Sequence, residues 1–126
     1  MTNLPHSAHM DAYCEFSIAA GRRLTGVPAD HPCARVHGHT FLVRLTVSGP
    51  VHPQTGFVVD FAELQAAFAP VHAALDHRFL NDVPGLENPT SERLALWIWQ
   101  SLKPALPGLS AVEITETGQS GVVFRG

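Results

Sequence analysis

The chain has 126 residues, of which 45% are hydrophobic and 15% are charged, and its formal net charge is −3. This length and apolar content predict one compact domain, residues 1–126, with a single core. The negative charge argues against a sequence-independent nucleic-acid binder, because such proteins need a broad cationic surface. No apolar run approaches the ~20 residues of a membrane span, and residues 1–11 lack the order of a signal peptide. We therefore expect a cytoplasmic protein with no membrane partner, in which Cys14 and Cys33 are free thiols.

The first half of the chain predicts two strands. Residues 1–11 show no periodicity and are expected to form a loose arm, after which residues 16–20 alternate between polar and apolar side chains. Residues 24–32 contain glycine and prolines and predict a loop. Residues 39–47 show the clearest alternation in the chain, which predicts a second strand followed by a turn region at residues 48–55.

The second half predicts two helices and a hairpin. Asp60 is expected to cap the first helix with Glu63 reaching back to it, and residues 75–82 predict a loop rich in titratable groups. The second helix is expected to begin near residues 88–90, and a hairpin that turns at residues 117–121 ends the chain. The expected buried side chains of the two helices are Phe61, Leu64, Phe68, Val71, Leu94, Trp97, Ile98 and Leu102.

The order of elements is therefore ββααββ, with strands and helices segregated along the chain. Such an order predicts an α+β fold, in which an antiparallel four-stranded sheet carries two helices on one face. The sheet would leave two edges and one partly apolar face uncovered, and oligomerisation would bury both.

Polar side chains that suit chemistry gather at residues 31–39. His37 and His39 stand two apart at the start of a strand, so both imidazoles point to one side and could reach one metal ion. Cys33 is close enough in sequence to be a third ligand or a separate reactive thiol, and the alternative is that these are scattered polar loop residues. Glu116 ends an otherwise apolar strand face, which fits either a partly desolvated carboxylate that meets a ligand or a frayed strand end in water.

Four motifs in this order resemble the 6-carboxy-tetrahydropterin synthase branch of the 6-pyruvoyl-tetrahydropterin synthase family, which serves queuosine precursor synthesis. The motifs are Cys33-x-x-x-His37-Gly38-His39, Asp76-His77 within Leu-Asp-His-x-x-Leu-Asn-Asp, the segment Leu-Glu-Asn-Pro-Thr-Ser-Glu at residues 86–92, and Glu116-Thr117. The three residues between Cys33 and His37 favour the carboxy branch. The resemblance implies a tunnelling fold, hexamers built from two trimers whose sheets close into barrels, active sites between subunits, and a zinc ion held by three histidines.

The resemblance also implies a role for each matching residue. Cys33 would be the thiol acid/base at the pterin side chain, with Asp76 and His77 of a neighbouring subunit as its relay. Glu116 would anchor the pterin ring through its two oxygens. Thr90 and Ser91 fall where the family supplies further pterin contacts, although both residue types also cap helices.

Two positions depart from the family pattern: Ala19 stands where the family usually has an acid, and the change that matters more is at Arg22. The family's first zinc histidine lies at the end of the first strand, where this chain has Arg22. Arginine cannot bind zinc, because it has no free lone pair and stays protonated. We therefore expect zinc to be weakly bound or absent, with Arg22 supplying the charge that holds substrate hydroxyls or phosphates. In the other outcome Arg22 swings away and a further residue completes the metal site with His37 and His39, the candidates being His6, His9, His31 and Cys33.

Three functions are compatible with these residues. The first is a lyase that converts 7,8-dihydroneopterin triphosphate to 6-carboxy-tetrahydropterin with release of acetaldehyde and triphosphate. The second is a divergent paralogue that binds a pterin but has a different, weak or absent activity because the zinc site is incomplete. The third is a non-catalytic pterin-binding or assembly protein.

Overall fold

The computed structural model describes residues 8–126, which form one four-stranded antiparallel sheet and two α-helices. The sheet order is β1-β2-β3-β4, so neighbouring strands in the sheet are also neighbours among the strands of the sequence. The predicted α+β class and the order ββααββ are thus confirmed. The elements are β1 (His9–Arg22), β2 (His37–Pro50), α1 (Phe61–Leu75), α2 (Ser91–Leu102), β3 (Leu109–Glu116) and β4 (Ser120–Phe124), with short 3-10 turns at Pro32–Ala34 and Leu80–Asp82.

The first strand is longer than the sequence predicts. β1 begins at His9, so residues 9–11 belong to the sheet and not to a loose arm, whereas His6 lies outside the described residues. Residues 9–11 are exposed on both faces of β1, and from Ala12 onward the strand alternates between partly buried and exposed side chains, with Cys14 packed against the core. The backbone pairing with β2, from His9 opposite Pro50 to Arg22 opposite His37, holds this segment in place.

The core lies between the helices and one face of the sheet. Its fully buried side chains include Ile18 and Phe41 from the strands, Leu64 and Phe68 from α1, and Ile98 from α2. The prediction for Phe61 was wrong, because this first residue of α1 is 53% exposed, and Leu75, which was assigned to a loop, closes the helix as a buried residue. In residues 8–126 no helix is long and apolar enough to cross a membrane.

Both helices begin at side-chain caps. The carboxylate of Asp60 accepts a hydrogen bond of 2.9 Å from the backbone N–H of Ala62, but the return bond predicted for Glu63 is absent from the hydrogen bonds of residues 8–126. The hydroxyl of Thr90 accepts a 3.1 Å bond from the N–H of Arg93. The Thr90 cap fixes where α2 starts, which matters because the first residues of α2 approach the ends of β1 and β3.

The indoles lie at the border of the core. Trp97, predicted to belong to the buried stripe of α2, is half-buried against the core and donates its N–H to the carbonyl of Pro84 at 3.0 Å. Trp99 packs edge-to-face on Phe124, with 5.2 Å between the ring centroids. The final hairpin turns more tightly than predicted, since Ser120 already belongs to β4.

The outer edge of β1 is partly covered by the segment that follows α1. The N–H of Ala19 donates to the carboxylate of Asp76 at 2.9 Å, and the carbonyl of Ala19 accepts from the N–H of His77 at 2.6 Å. The N–H of Gly21 then donates to the carbonyl of Arg78 at 3.0 Å. These bonds hold residues 76–78 against the last part of β1, with His77 in the left-handed region at a φ of 57°.

Candidate functional site

A polar group of side chains continues the apolar, helix-covered face of the sheet at one end. Arg22 lies opposite His37 in the pairing of β1 with β2, and Glu116 lies opposite Phe41 in the pairing of β2 with β3. Because side chains two apart on a strand share a face, Arg22 continues the row of Ile18, and His37 and His39 continue the row of Phe41. The site is thus built from the ends of three strands.

Arg22 is the charged residue at the centre of this group, and only 3% of its surface is exposed. One guanidinium nitrogen forms an ion pair with Oε1 of Glu116, and the other donates to the carbonyl of Pro89 at 3.0 Å. The guanidinium carbon lies 5.0 Å from the centre of the Phe41 ring. A buried charge is costly unless it is paired and hydrogen-bonded, so these contacts explain how the fold accommodates Arg22.

Glu116 is bound by a second donor. The hydroxyl of Ser91, the first residue of α2, donates to Oε2 of Glu116 at 2.7 Å. Burial would raise the pKa of Glu116, but the Ser91 hydrogen bond and the positive charge of Arg22 outweigh it and hold the pKa below its usual range. Glu116 therefore stays ionised, and each of its oxygens keeps a lone pair for a further donor.

The two histidines differ in what they face. Nδ1 of His37 lies 2.7 Å from the carbonyl of Arg35, which requires that Nδ1 carry the proton and leaves a lone pair on Nε2. Nε2 of His39 lies 3.8 Å from Oε1 of Glu116. Burial and the positive charge of Arg22 lower the pKa of His39, which favours its neutral form. The imidazoles meet edge-to-face with 4.9 Å between their centroids.

These residues do not fit a zinc ion. Zinc sites take three or four lone-pair donors, and no group of three histidine, cysteine, aspartate or glutamate side chains within residues 8–126 could hold a metal. A guanidinium ~4 Å from a divalent ion would be repelled by about 8 kcal/mol at an effective dielectric of ~20. Arg22 does not swing away from this position, because its guanidinium is paired with the carboxylate of Glu116.

The other ligands that the sequence suggested do not complete the site. His9 begins the 14-residue strand that Arg22 ends, so within one chain the two lie about 40 Å apart at ~3.3 Å per residue. Nδ1 of His31 accepts a 3.0 Å bond from the N–H of Cys33, which caps the 3-10 turn of Pro32–Ala34. The thiol of Cys33 is half-buried in that turn. His6 lies outside the described residues.

A second polar group, formed by Asp76 and His77, lies beyond the edge of β1. Oδ2 of Asp76 lies 2.7 Å from Nδ1 of His77, while Oδ1 accepts the N–H of Ala19. That backbone bond and then the contact with His77 lower the pKa of Asp76. Because the carboxylate accepts the hydrogen of Nδ1, Nε2 of His77 carries the lone pair. The His77 side chain is 81% exposed.

An open concavity of about 570 Å³ lies between His39 of the first group and His77 of the second. His39 and His77 line it together with the backbone of β1 at Gly21. Cys33 is not part of its lining, and among the described residues the thiol makes no hydrogen bond to either group. Thr90 caps α2, whereas Ser91 contacts Glu116, so the two neighbouring hydroxyls have different partners.

The family model described as 6-pyruvoyl tetrahydropterin synthase matches residues 12–126. The chain belongs to the 6-pyruvoyl tetrahydropterin synthase family. A 6-carboxy-5,6,7,8-tetrahydropterin synthase of Synechocystis is 43% identical over 118 residues, which cover 89% of this chain and 90% of that protein. A dihydroneopterin monophosphate aldolase of Pyrococcus furiosus is 38% identical over 90 residues, covering 69% of this chain and 75% of that protein.

The fold of this family member agrees with a solved structure. The 6-pyruvoyl tetrahydropterin synthase of Caenorhabditis elegans superposes with a TM-score of 0.87 at 24% identity, covering 98% of this chain and 99% of that chain. The predicted resemblance to the family is thereby confirmed at the level of fold and of sequence. The names of the relatives span different reactions, so membership of the family leaves the reaction of this chain to be argued from its site.

Sequence reasoning missed two partners of Arg22 in this family member. The carbonyl of Pro89 binds the guanidinium, and no sequence pattern marks one backbone carbonyl among many. The ion pair with Glu116 joins residues 94 positions apart. A signal for it did exist, because Arg22 and Glu116 each end an apolar row on strands that would lie in one sheet.

Proposed function

We propose that this chain is a pterin-binding lyase of the 6-carboxy-tetrahydropterin synthase type. Its substrate would be 7,8-dihydroneopterin triphosphate, and its products 6-carboxy-tetrahydropterin, acetaldehyde and triphosphate, in the supply of queuosine precursors. The observation that carries the proposal is the ionised carboxylate of Glu116, held by Ser91 and Arg22 at the end of the core face. The name and the 43% identity of the Synechocystis relative support this branch.

Glu116 would bind the pterin ring. A carboxylate can accept a ring N–H and the neighbouring exocyclic amine as a bidentate pair, and such charge-assisted pairs are among the strong hydrogen bonds. Ser91 and Arg22 each occupy one lone pair of Glu116 and fix the orientation of the carboxylate before the ligand arrives. The cost of ordering this side chain would therefore be met in folding and not in binding.

Cys33, Asp76 and His77 would move protons at the pterin side chain. Asp76 fixes the tautomer of His77, so that Nε2 of His77 can accept a proton. The thiol of Cys33 would act as the acid/base that contacts the substrate. Within one chain Cys33 is not in contact with Asp76 or His77, which favours a relay between Cys33 of one subunit and the dyad of another.

A shared site requires an oligomer, and we propose a hexamer of two trimers whose sheets close into barrels. The sheet has β1 and β4 as its two edges, and Tyr13, Leu42 and Val123 are exposed on the face that the helices do not cover. Pairing between subunits would cover the two edges, and closing the sheets into barrels would enclose the exposed face. Sedimentation should then give about six times 13.6 kDa, and a stable monomer would contradict both the hexamer and the shared site.

The test of the reaction is turnover of 7,8-dihydroneopterin triphosphate, followed by separation of the pterin products and detection of acetaldehyde. Formation of 6-carboxy-tetrahydropterin is expected. The ion pair of Arg22 with Glu116 also favours a second candidate, a paralogue that binds a pterin but performs a different reaction or none. Tight pterin binding with no turnover, or with a different product, would establish that second candidate.

A further inference from the structure

Two buried nitrogen atoms at the centre of the site have no hydrogen-bond partner among residues 8–126. They are Nε of Arg22 and Nε2 of His37. Buried polar atoms in folded proteins are almost always paired, so two orphans in one place require an explanation. Arg22 and His37 are register partners on the same face of neighbouring strands, and their side chains therefore leave the sheet about 5 Å apart.

The two atoms are complementary. Nε of Arg22 always carries a hydrogen and can only donate. Nε2 of His37 carries the lone pair, because Nδ1 is committed as a donor to the carbonyl of Arg35. One hydroxyl group placed between the two atoms would satisfy both, since its oxygen would accept the hydrogen of Arg22 while its own hydrogen is donated to His37.

A metal ion or a phosphate oxygen satisfies only one of the two atoms, whereas a water molecule in the free protein satisfies both, as an alcohol hydroxyl does. A metal ion would use the lone pair of His37 but would be repelled by Arg22. A phosphate oxygen would accept from Arg22 but would turn its negative charge toward the lone pair of His37 and toward ionised Glu116, which already pairs with Arg22. The donor and acceptor together thus select a neutral O–H group, and a ligand hydroxyl would replace the water molecule that fits this place in the free protein.

We propose that Arg22 and His37 form a metal-free binding site for a hydroxyl group on the side chain of the bound pterin. The inference rests on the proposed pterin function, because Glu116 would hold the ring while its ion-pair partner Arg22 binds the side chain. Arg22 thereby supplies one positive charge at the position where the family pattern has a zinc ligand. Its fork of donors serves Glu116, the carbonyl of Pro89 and the hydroxyl at once.

The first test compares two pterins in the presence of EDTA. Neopterin carries side-chain hydroxyls and 6-methylpterin does not. We expect neopterin to bind about tenfold more tightly, the upper range for one net hydrogen bond of ~0.5–1.5 kcal/mol. His37→Phe should abolish this preference and leave the affinity for 6-methylpterin within about twofold. His39→Phe is the matched control and should retain the preference, because Nε2 of His39 faces Glu116.

The second test measures zinc directly and requires no activity. Protein purified without chelator should contain far less than one zinc per chain. In calorimetric titrations Arg22→His should bind zinc at least about 100-fold more tightly than the unmodified protein, since even the loss of an outer-shell partner costs ~10–100-fold. Arg22→Gln removes the charge but adds no imidazole ligand, and it should gain much less affinity than Arg22→His.

The outcomes separate this inference from the function on which it rests. Equal binding of both pterins in EDTA would overturn the hydroxyl site and leave the pterin function standing. A preference for neopterin that EDTA abolishes, or stoichiometric tightly bound zinc in the unmodified protein, would also overturn it. If neither neopterin nor 6-methylpterin bound, the pterin function and the hydroxyl site would be refuted together.

Discussion

The two polar groups of this fold are built in opposite ways. Arg22, Ser91 and Glu116 are largely buried, and they bind one another across the ends of β1, α2 and β3 within one chain. Asp76 and His77 lie at the surface, where the backbone of β1 fixes the carboxylate but the imidazole is 81% exposed. The side chains of the first group are held in place by one another before a ligand arrives, as those of a binding site should be. The second has its tautomer set, but Nε2 of His77 has no hydrogen-bond partner among residues 8–126, which fits the proposed relay with another subunit.

The largest effect should come from the thiol that would work with the exposed group. We expect Cys33→Ala to lower kcat by ~10²–10⁴-fold, the usual contribution of a positioned acid/base, with pterin affinity nearly unchanged. Steady-state kinetics beside equilibrium binding of a pterin would measure the two effects. Cys14→Ala is the matched control, because Cys14 packs against the core at a distance from both groups and should leave kcat unchanged. An equal loss of affinity and kcat in Cys33→Ala would contradict its assigned role.

The buried group should respond to the loss of its carboxylate. Glu116→Gln leaves the guanidinium of Arg22 buried without an ionic partner, and we expect a loss of about 2–3 kcal/mol in the free energy of unfolding. This is somewhat below the ~3–5 kcal/mol of a fully buried pair, because Glu116 is 26% exposed. Pterin affinity should fall as well.

The control for this variant lies on the same strand. Glu113 forms a looser ion pair with Arg44, 3.8 Å long and with both side chains about a third exposed. Glu113→Gln should therefore cost less than ~1 kcal/mol in urea unfolding and leave pterin binding unchanged. Equal destabilisation by the two variants would show that Glu116 is no more committed to its partner than a surface acid.

Adjacent hydroxyls at the start of α2 provide a smaller and sharper contrast. Ser91→Ala removes a donor to ionised Glu116, worth ~1.5–3 kcal/mol, and should weaken pterin binding because the carboxylate is no longer held. Thr90→Ala removes the helix cap and should cost about 1 kcal/mol of stability with little change in affinity. Thermal unfolding and pterin titration of both variants test this, and a larger loss of affinity in Thr90→Ala would reverse the assignment.

The smallest expected effect is the contribution of the Asp76–His77 pair to stability at acidic pH. The backbone N–H of Ala19 and the contact with His77 lower the pKa of Asp76 in the folded state. A carboxyl group with a lowered folded pKa adds stability that is present above its unfolded pKa of ~3.9 and is lost as the pH falls through the folded value. The difference in the free energy of unfolding between the unmodified protein and Asp76→Asn should therefore be constant near neutral pH. It should shrink below about pH 4. A difference that grew on acidification would contradict this sign.

The fold could be predicted largely from periodicity. Residues 39–47 alternate between apolar and polar side chains, and the two helices carry apolar stripes, because one face of each element is buried. These elements form as expected. The first part of β1 was missed, because residues 9–11 are exposed on both faces and residues 12–15 alternate only between partly buried and exposed side chains. Pairing with β2 stabilises that segment, and a partner strand leaves no mark on the composition of the strand that it holds.

The residues of the site could be predicted from the sequence, but the contacts between them could not. The sequence identified Arg22 as the departure from the family pattern and Glu116 as an unusual acid. It did not indicate that they bind each other, since an ion pair across 94 positions depends on strand register. The assignment of Thr90 and Ser91 was ambiguous in sequence, because both residue types cap helices, and only the start of α2 decides which hydroxyl faces Glu116.

The bonds between β1 and residues 76–78 divide one strand edge into two parts with different exchange behaviour. The amides of Ala19 and Gly21 point outward from the sheet but are bonded to Asp76 and Arg78, so their hydrogens should exchange slowly with solvent even in an isolated subunit. The outward amide of Tyr13 has no such bond within residues 8–126 and should exchange quickly until another subunit pairs with it. Assembly should therefore slow hydrogen exchange at the amide of Tyr13. Exchange at the amide of Ala19 should instead become faster when Asp76 is protonated and its hydrogen bond to Ala19 weakens.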